Sequence, residues 1–171
     1  MVGTPVVLSI VGLGLGTAQW PIIRRHMSSS GWWIIASVFG MAAGLTVGVI
    51  LVEQIGRVVT GGQINFQMLG VAARAASFGT IGVMAGALLG LSQWLVLRLH
   101  VPRCRKWIAV NVWSLGVGLA SGSLLADALV ARSGSLAGVG ILLVIGSGVA
   151  GACTAKALTS IFPLGVSVAG R

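Results

Sequence analysis

Charge is what this sequence has least of. Only 8% of its 171 residues are charged, and the acids number two, Glu53 and Asp127. An average soluble domain is about one quarter charged. With 56% hydrophobic residues and a mean hydropathy of +1.03, a chain this small could not hide its apolar surface in water. In a bilayer that surface needs no hiding, because lipid is the solvent. Cysteine is scarce as well. Cys104 and Cys153 belong to no CxxC pair or Cys/His cluster, so they report no disulfide framework. The chain also lacks a Ser/His/Asp set, a metal-ligand cluster and a phosphate loop in a strand–helix setting. No catalytic residue and no metal is therefore expected, and the sequence does not read as an enzyme. A cleavable signal peptide is not expected either, since the first apolar run is too long and has no basic region before it.

What is present is a series of apolar runs separated by basic turns. Crossing about 30 Å of hydrocarbon takes about 20 helical residues. The runs predict five spans: Val2–Ile23, Trp32 or Trp33 to Val52, Ser77–Arg98, Trp107–Val130 and Leu136–Ile161, the last stopped by Pro163. The polar stretch 54–76 reads as an extramembrane or interfacial linker, with a Gly61–Gly62 break and an interfacial segment over 64–76 that carries Arg74. The net charge of +9 does not point to nucleic acid, because the basic residues sit in loops between spans. That placement controls topology, with attraction to anionic headgroups as a second use. With five spans, Arg24, Arg25, Arg98, Arg103, Arg105, Lys106, Lys156 and Arg171 fall on one side. Arg57, Arg74 and Arg132 fall on the other. The richer side should be cytoplasmic, with the N-terminus outside and the C-terminus inside.

Shifted by 74 residues, the sequence matches itself without a gap. Gly12, Gly16, Gln19, Trp20, Arg24, His26, Trp33, Ile34, Val38, Gly44, Leu45 and Gly48 fall on Gly86, Gly90, Gln93, Trp94, Arg98, His100, Trp107, Ile108, Val112, Gly118, Leu119 and Gly122. Glu53 falls on Asp127, so both acids obey the shift. The repeated unit is a helical hairpin, over 2–53 and again over 77–127. An even number of spans separates the copies, so they share one orientation and form a parallel repeat, unlike the inverted repeats of many transporters. The fifth span resembles the start of a third unit only in its small residues, and it should close the bundle.

The repeated residues suggest packing before chemistry. Gly40, Gly44 and Gly48 are four apart, as are Gly82, Gly86 and Gly90; Gly12 with Gly16 and Gly118 with Gly122 keep the spacing. Gly134, Gly138, Ser147 and Gly151 make a weaker version in the fifth span. Such stripes let two helix backbones approach closely. In Gln-Trp-x-x-x-Arg, at Gln19-Trp20-Arg24 and Gln93-Trp94-Arg98, the Trp and Arg share a helix face. The guanidinium can stack on the indole while reaching headgroups. Trp32, Trp33 and Trp107 suit the same interfacial belt. Gln19 and Gln93 need partners inside lipid, and are expected to bond each other or a backbone.

Three sets of residues carry sharper readings. His26 and His100 read mainly as solvated turn residues, and as axial ligands of a pigment or haem in the bolder case. Glu53 and Asp127 read as interfacial carboxylates, Glu53 pairing with Arg57, or as an ion site. Gln19, Gln93, Asn111, Ser37, Ser121, Ser123, Glu53 and Asp127 are the pieces from which a polar path would have to be built. Pro21 is expected to kink the first span; its repeat partner is Leu95.

The pattern G-x-x-x-G-x-x-Q-W-x-x-x-R, followed by W-I and a glycine stripe, resembles that of a group of small uncharacterised bacterial polytopic membrane proteins with repeated Gln-Trp-x-x-x-Arg hairpins. The resemblance spans residues 12–53 and 86–127. It implies a helical membrane fold, in the bacterial inner membrane, and no activity.

The sequence thus predicts an all-α integral membrane protein of about five transmembrane helices, built as a tandem parallel two-helix repeat plus a fifth helix. The expected role is a non-catalytic accessory or structural subunit of a larger membrane complex, energy-transducing or photosynthetic, packed through glycine stripes. The expected partners are the lipid bilayer and other membrane subunits. The alternatives are a small transporter or channel and, more weakly, a lipid- or pigment-binding protein.

Overall fold

A computed structural model describes residues 3–24, 31–62, 65, 68–99, 104–133, 153, 154, 156 and 157. Among them are four helices and no strand: α1 (Gly3–Ile23), α2 (Gly31–Thr60), α3 (Val71–Leu97) and α4 (Lys106–Ser133). Three stretches, Gly31–Thr60, Val71–Leu97 and Lys106–Ala128, are long and apolar enough to cross a membrane. Residues 153, 154, 156 and 157 are helical. The rest of the expected fifth span, with Gly134, Gly138, Ser147 and Gly151, lies outside the described residues, as do His26 and His100.

The helices outrun the hydropathy. α2 continues eight residues past Val52, because nothing in 53–60 breaks the backbone ladder. It stops where Gly61 takes a positive φ of 69° and donates its N–H to the Arg57 carbonyl at 3.0 Å. Glycine enters that left-handed conformation without a Cβ penalty. At the next helix, residues 71–76 were expected in an interfacial segment, and they form the first turns of α3. The connection between α2 and α3 is therefore shorter than the linker read from polarity.

α1 packs on α2, α2 on α3 and α3 on α4. The glycine stripes sit in those contacts. A Cβ on Gly44 would lie 2.5 Å from the Ala85 Cα, and one on Gly48 2.9 Å from the Ile81 Cα. Gly82, Gly86 and Gly90 meet Leu115, Asn111 and Ile108 of α4 in the same way, and Gly16 meets Ser37 and Ile34 of α2. Gly118 and Gly122 are buried, and Gly12 lies within α1. The stripes of α2 and α3 are thus used by the chain's own helices, so neither is left free for a partner.

Apolar side chains fill what the glycines leave. One cluster holds Ile23, Trp33, Leu97, Cys104 and Trp107 near the basic turns. A second holds Leu15, Met41, Ala85, Leu89 and Leu115, and a third Val52, Ile81 and Leu119. Facing outward are Phe39 and Trp113, 71% and 72% exposed, with Ile50 and Val117. Water would oppose that much exposed aromatic surface, and hydrocarbon does not.

The cysteines differ in kind. Cys104, in the turn before α4, is buried while Cys153 is exposed. Burial pushes the Cys104 thiol up in pKa, offset in part by hydrogen bonds from the backbone and from Trp94. A protonated thiol is a poor nucleophile. N-ethylmaleimide is therefore expected to modify Cys153 in the folded, detergent-solubilised protein and to reach Cys104 only after denaturation. Peptide mass mapping over a labelling time course checks the order.

Candidate functional site

Seven polar or indole side chains from α1, α2, α3, α4 and the helical residue Thr154 meet inside the bundle. Gln19, Trp33, Ser37, Gln93, Trp107, Asn111 and Thr154 are all at most 6% exposed. The helix period explains the convergence. Trp33, Ser37, Gly40, Gly44 and Gly48 share one buried face of α2. Gly82, Gly86, Gly90 and Gln93 do so on α3. The smooth stripe brings the backbones together, and the polar groups at its end are carried into the same interface.

Their bonds are specific. Gln19 Oε1 accepts from the Trp33 indole at 3.1 Å, and Gln19 Nε2 donates to Thr154 Oγ1 at 2.9 Å. Gln93 Oε1 accepts from the Trp107 indole at 2.9 Å. Gln93 Nε2 donates to Ser37 Oγ at 2.8 Å and to Gln19 Oε1 at 3.3 Å. Ser37 Oγ donates onward to the Trp33 carbonyl at 2.8 Å, and Asn111 Nδ2 to the Trp107 carbonyl at 2.9 Å. The two indoles lie 5.6 Å apart, tilted by 55°, within the range of favourable aromatic pairs. The Gln19–Trp33 bond recurs 74 residues along as Gln93–Trp107. Ser37 and Asn111 also stand 74 apart, each bonding the carbonyl four residues before it.

Trp33 and Trp107 correct the interfacial reading. Both are fully buried, while the neighbouring Trp32 is 64% exposed. Their place could have been found from spacing, since Trp33 stands seven residues before Gly40, on the stripe face. Thr154 was missed as well. It follows Gly151 by three residues, as Gln19 follows Gly16 and Gln93 follows Gly90. That spacing was the available signal.

The other candidates sit elsewhere. The Arg24 guanidinium lies 4.6 Å from the Trp20 ring centroid, and that of Arg98 lies 5.3 Å from Trp94. Both arginines are exposed at helix ends, where their charge stays wet. Ser121 and Ser123 donate to carbonyls of their own helix, those of Val117 and Ala120. Gln19, Gln93 and Ser37 bond one another and Trp33, Trp107 and Thr154, and Asn111 bonds the Trp107 carbonyl. No group of three or more metal-ligating side chains occurs among the described residues.

The two acids part company. Asp127 Oδ1 accepts from Arg74 Nη1 at 2.8 Å, and Arg74 Nη2 donates to the Leu69 carbonyl at 3.0 Å. One guanidinium thus ties the far end of α4 to the start of α3 and to the turn before it. Glu53 is exposed, and no ion pair to Arg57 or any other cation is found among the described residues. The side chains of the Arg74–Asp127 pair are about a quarter and a fifth exposed (26% and 20%). Removing one partner leaves a half-desolvated charge, at a cost of about 1–2 kcal/mol in such a setting. Asp127→Asn is expected to lower the unfolding free energy in detergent by that amount, seen as a lower thermal midpoint. Glu53→Gln should stay within about 0.5 kcal/mol, as surface changes do. Equal effects at the two positions would show that the ion pair does not hold α3 to α4.

Among the described residues, Arg74 Nε and Asp127 Oδ2 are the buried side-chain polar atoms left without a partner. No atom of the glutamine network is among them. Chemically it is a clasp: it fixes which helix faces meet, and at what height. Compared with known proteins, the chain matches no family model, no curated protein and no solved structure.

Proposed function

We propose that this chain is a non-catalytic integral-membrane subunit: a five-helix bundle, made of two parallel hairpins 74 residues apart and a closing helix, that assembles with other membrane proteins. One observation carries the reading. Among the described residues, the buried glutamines are bonded to the chain's own side chains, while the apolar outer faces of α2 and α4, with Phe39 and Trp113, are exposed. A bundle with its buried glutamines bonded internally and aromatic side chains outside is suited to contact. Because the glycine stripes of α2 and α3 are occupied, a partner helix would dock on the outer face of α2, around Phe39. The excess of basic residues in the turns at Arg24, Arg98, Arg105 and Lys106 supports a cytoplasmic location for that end. Purification in a mild detergent, followed by protein identification, tests the reading. A stoichiometric larger complex is the expected result. Recovery solely as a free monomer from its native membrane would overturn it.

A further inference from the structure

α4 carries a second feature on its outer side, independent of any protein partner. A groove of about 750 Å³ runs between α4 and the helical residues Cys153, Lys156 and Ala157. That volume is within the usual range of about 300–1,000 Å³ for ligand sites. Its walls follow helix periodicity. Lys106, Val110, Trp113 and Val117 lie on one face of α4, and Cys153, Lys156 and Ala157 lie on one face of the opposing segment. The Thr154–Gln19 bond at 2.9 Å seats that segment against the bundle and so makes the second wall. The lining is apolar along α4 and carries two lysines. Eleven residues separate Lys106 from Val117, about 16 Å of helix, or about half of a 30 Å hydrocarbon layer.

We infer that this groove holds an anionic phospholipid, with its phosphate between Lys106 and Lys156 and an acyl chain laid along Val110, Trp113 and Val117. The charge pattern selects the occupant. A purely apolar groove would take any acyl chain or an apolar helix. Two lysines line it, and their stems, running along the apolar wall, can carry their charge to a headgroup by snorkelling, which favours a chain that ends in a negative group. Basic pockets between membrane helices hold acidic lipid headgroups by the same attraction, worth several-fold in affinity per cation. The groove is about one leaflet deep, as a single lipid requires.

Trp113 makes the site observable, because it lines the groove and is 72% exposed. The protein is placed in phosphatidylcholine vesicles containing a small fraction of chain-brominated phosphatidylglycerol, or the same fraction of chain-brominated phosphatidylcholine. The Trp113 quenching is taken as the difference between the protein and its Trp113→Phe variant. The expected result is a preference of about tenfold for the phosphatidylglycerol. It should fall to parity in Lys106→Gln/Lys156→Gln, and persist in Lys106→Arg/Lys156→Arg and in Arg98→Gln. The last variant removes a charge outside the groove. Equal quenching by the two lipids, or a preference that survives the double glutamine variant, would overturn the inference. Cys153 supplies a second readout that needs no tryptophan variant. Its alkylation should slow in phosphatidylglycerol vesicles relative to phosphatidylcholine ones, and an unchanged rate counts against lipid in the groove.

Discussion

Gly86→Ala is expected to destabilise the bundle by about 1–3 kcal/mol, the usual cost of forcing extra volume into a packed interface. Gly86→Val should exceed that. A Cβ at this position would fall on the Asn111 carbonyl oxygen, 2.6 Å from the carbonyl carbon and 2.7 Å from the Val112 Cα. All three atoms are backbone, so no rotamer change relieves the contact and α3 must move away from α4. The opposing effect is helix propensity, where alanine gains about 0.5–1 kcal/mol over glycine. At Gly86 the clash wins. At Gly14 of α1, where a Cβ would meet nothing within 4 Å, propensity acts alone, and Gly14→Ala should be neutral or slightly stabilising. Unfolding in dodecyl maltoside micelles titrated with sodium dodecyl sulfate, followed by near-ultraviolet circular dichroism, reads both. A Gly86→Ala midpoint equal to that of Gly14→Ala would mean that the α3–α4 contact is not tight.

The contrast between Gly86 and Gly14 also shows what the sequence could and could not reveal. Periodic features were legible. Long apolar runs announced the helices, and the fourfold glycine spacing announced their smooth faces, because both depend on the chain's local geometry. Helix ends were read less well. Hydropathy reports where hydrocarbon is tolerated, whereas α2 ends where Gly61 turns left-handed. Single side chains could be read when their face was known and were misread when it was not. Trp33 was assigned to the belt by residue type, although its distance from Gly40 placed it inside. Arg74–Asp127 lay beyond the sequence altogether. It joins residues 53 apart, and the 74-residue equivalence between Glu53 and Asp127 suggested alike environments that the two acids do not share. Repetition preserves a residue without preserving its neighbours.

Where the neighbours are repeated too, the clasp follows, and it makes the second large prediction. Gln93→Leu deletes both polar atoms and shortens the side chain by one bond. The Trp107 indole then loses the acceptor it has at 2.9 Å, and Ser37 and Gln19 lose an amide donor. Ser37 still donates to the Trp33 carbonyl, and Gln19 still accepts from Trp33. The principal orphan is therefore one buried indole N–H, worth about 1–3 kcal/mol of destabilisation. Hydrogen bonds between membrane helices average less, about 0.6 kcal/mol, because the separated helices find other partners. The value expected here is toward the upper end, since Gln93 and Trp107 are fully buried and side-chain partners surround them. Trp107→Phe alone also shrinks the ring and opens a void, so its absolute cost mixes packing with bonding. The double-mutant cycle of Gln93→Leu with Trp107→Phe separates them. The double variant should be less destabilised than the sum of its parts by about 1–2 kcal/mol, because the orphan disappears with its donor. Gln19→Leu with Trp33→Phe should give a coupling of similar size. Gln19→Leu carries a further consequence, because Gln19 Nε2 also holds Thr154. Cys153, next to Thr154, should then be alkylated at a rate different from that in the parent protein, while Gln93→Leu leaves the rate unchanged. Additive energies in both cycles would show that the two glutamines only fill space.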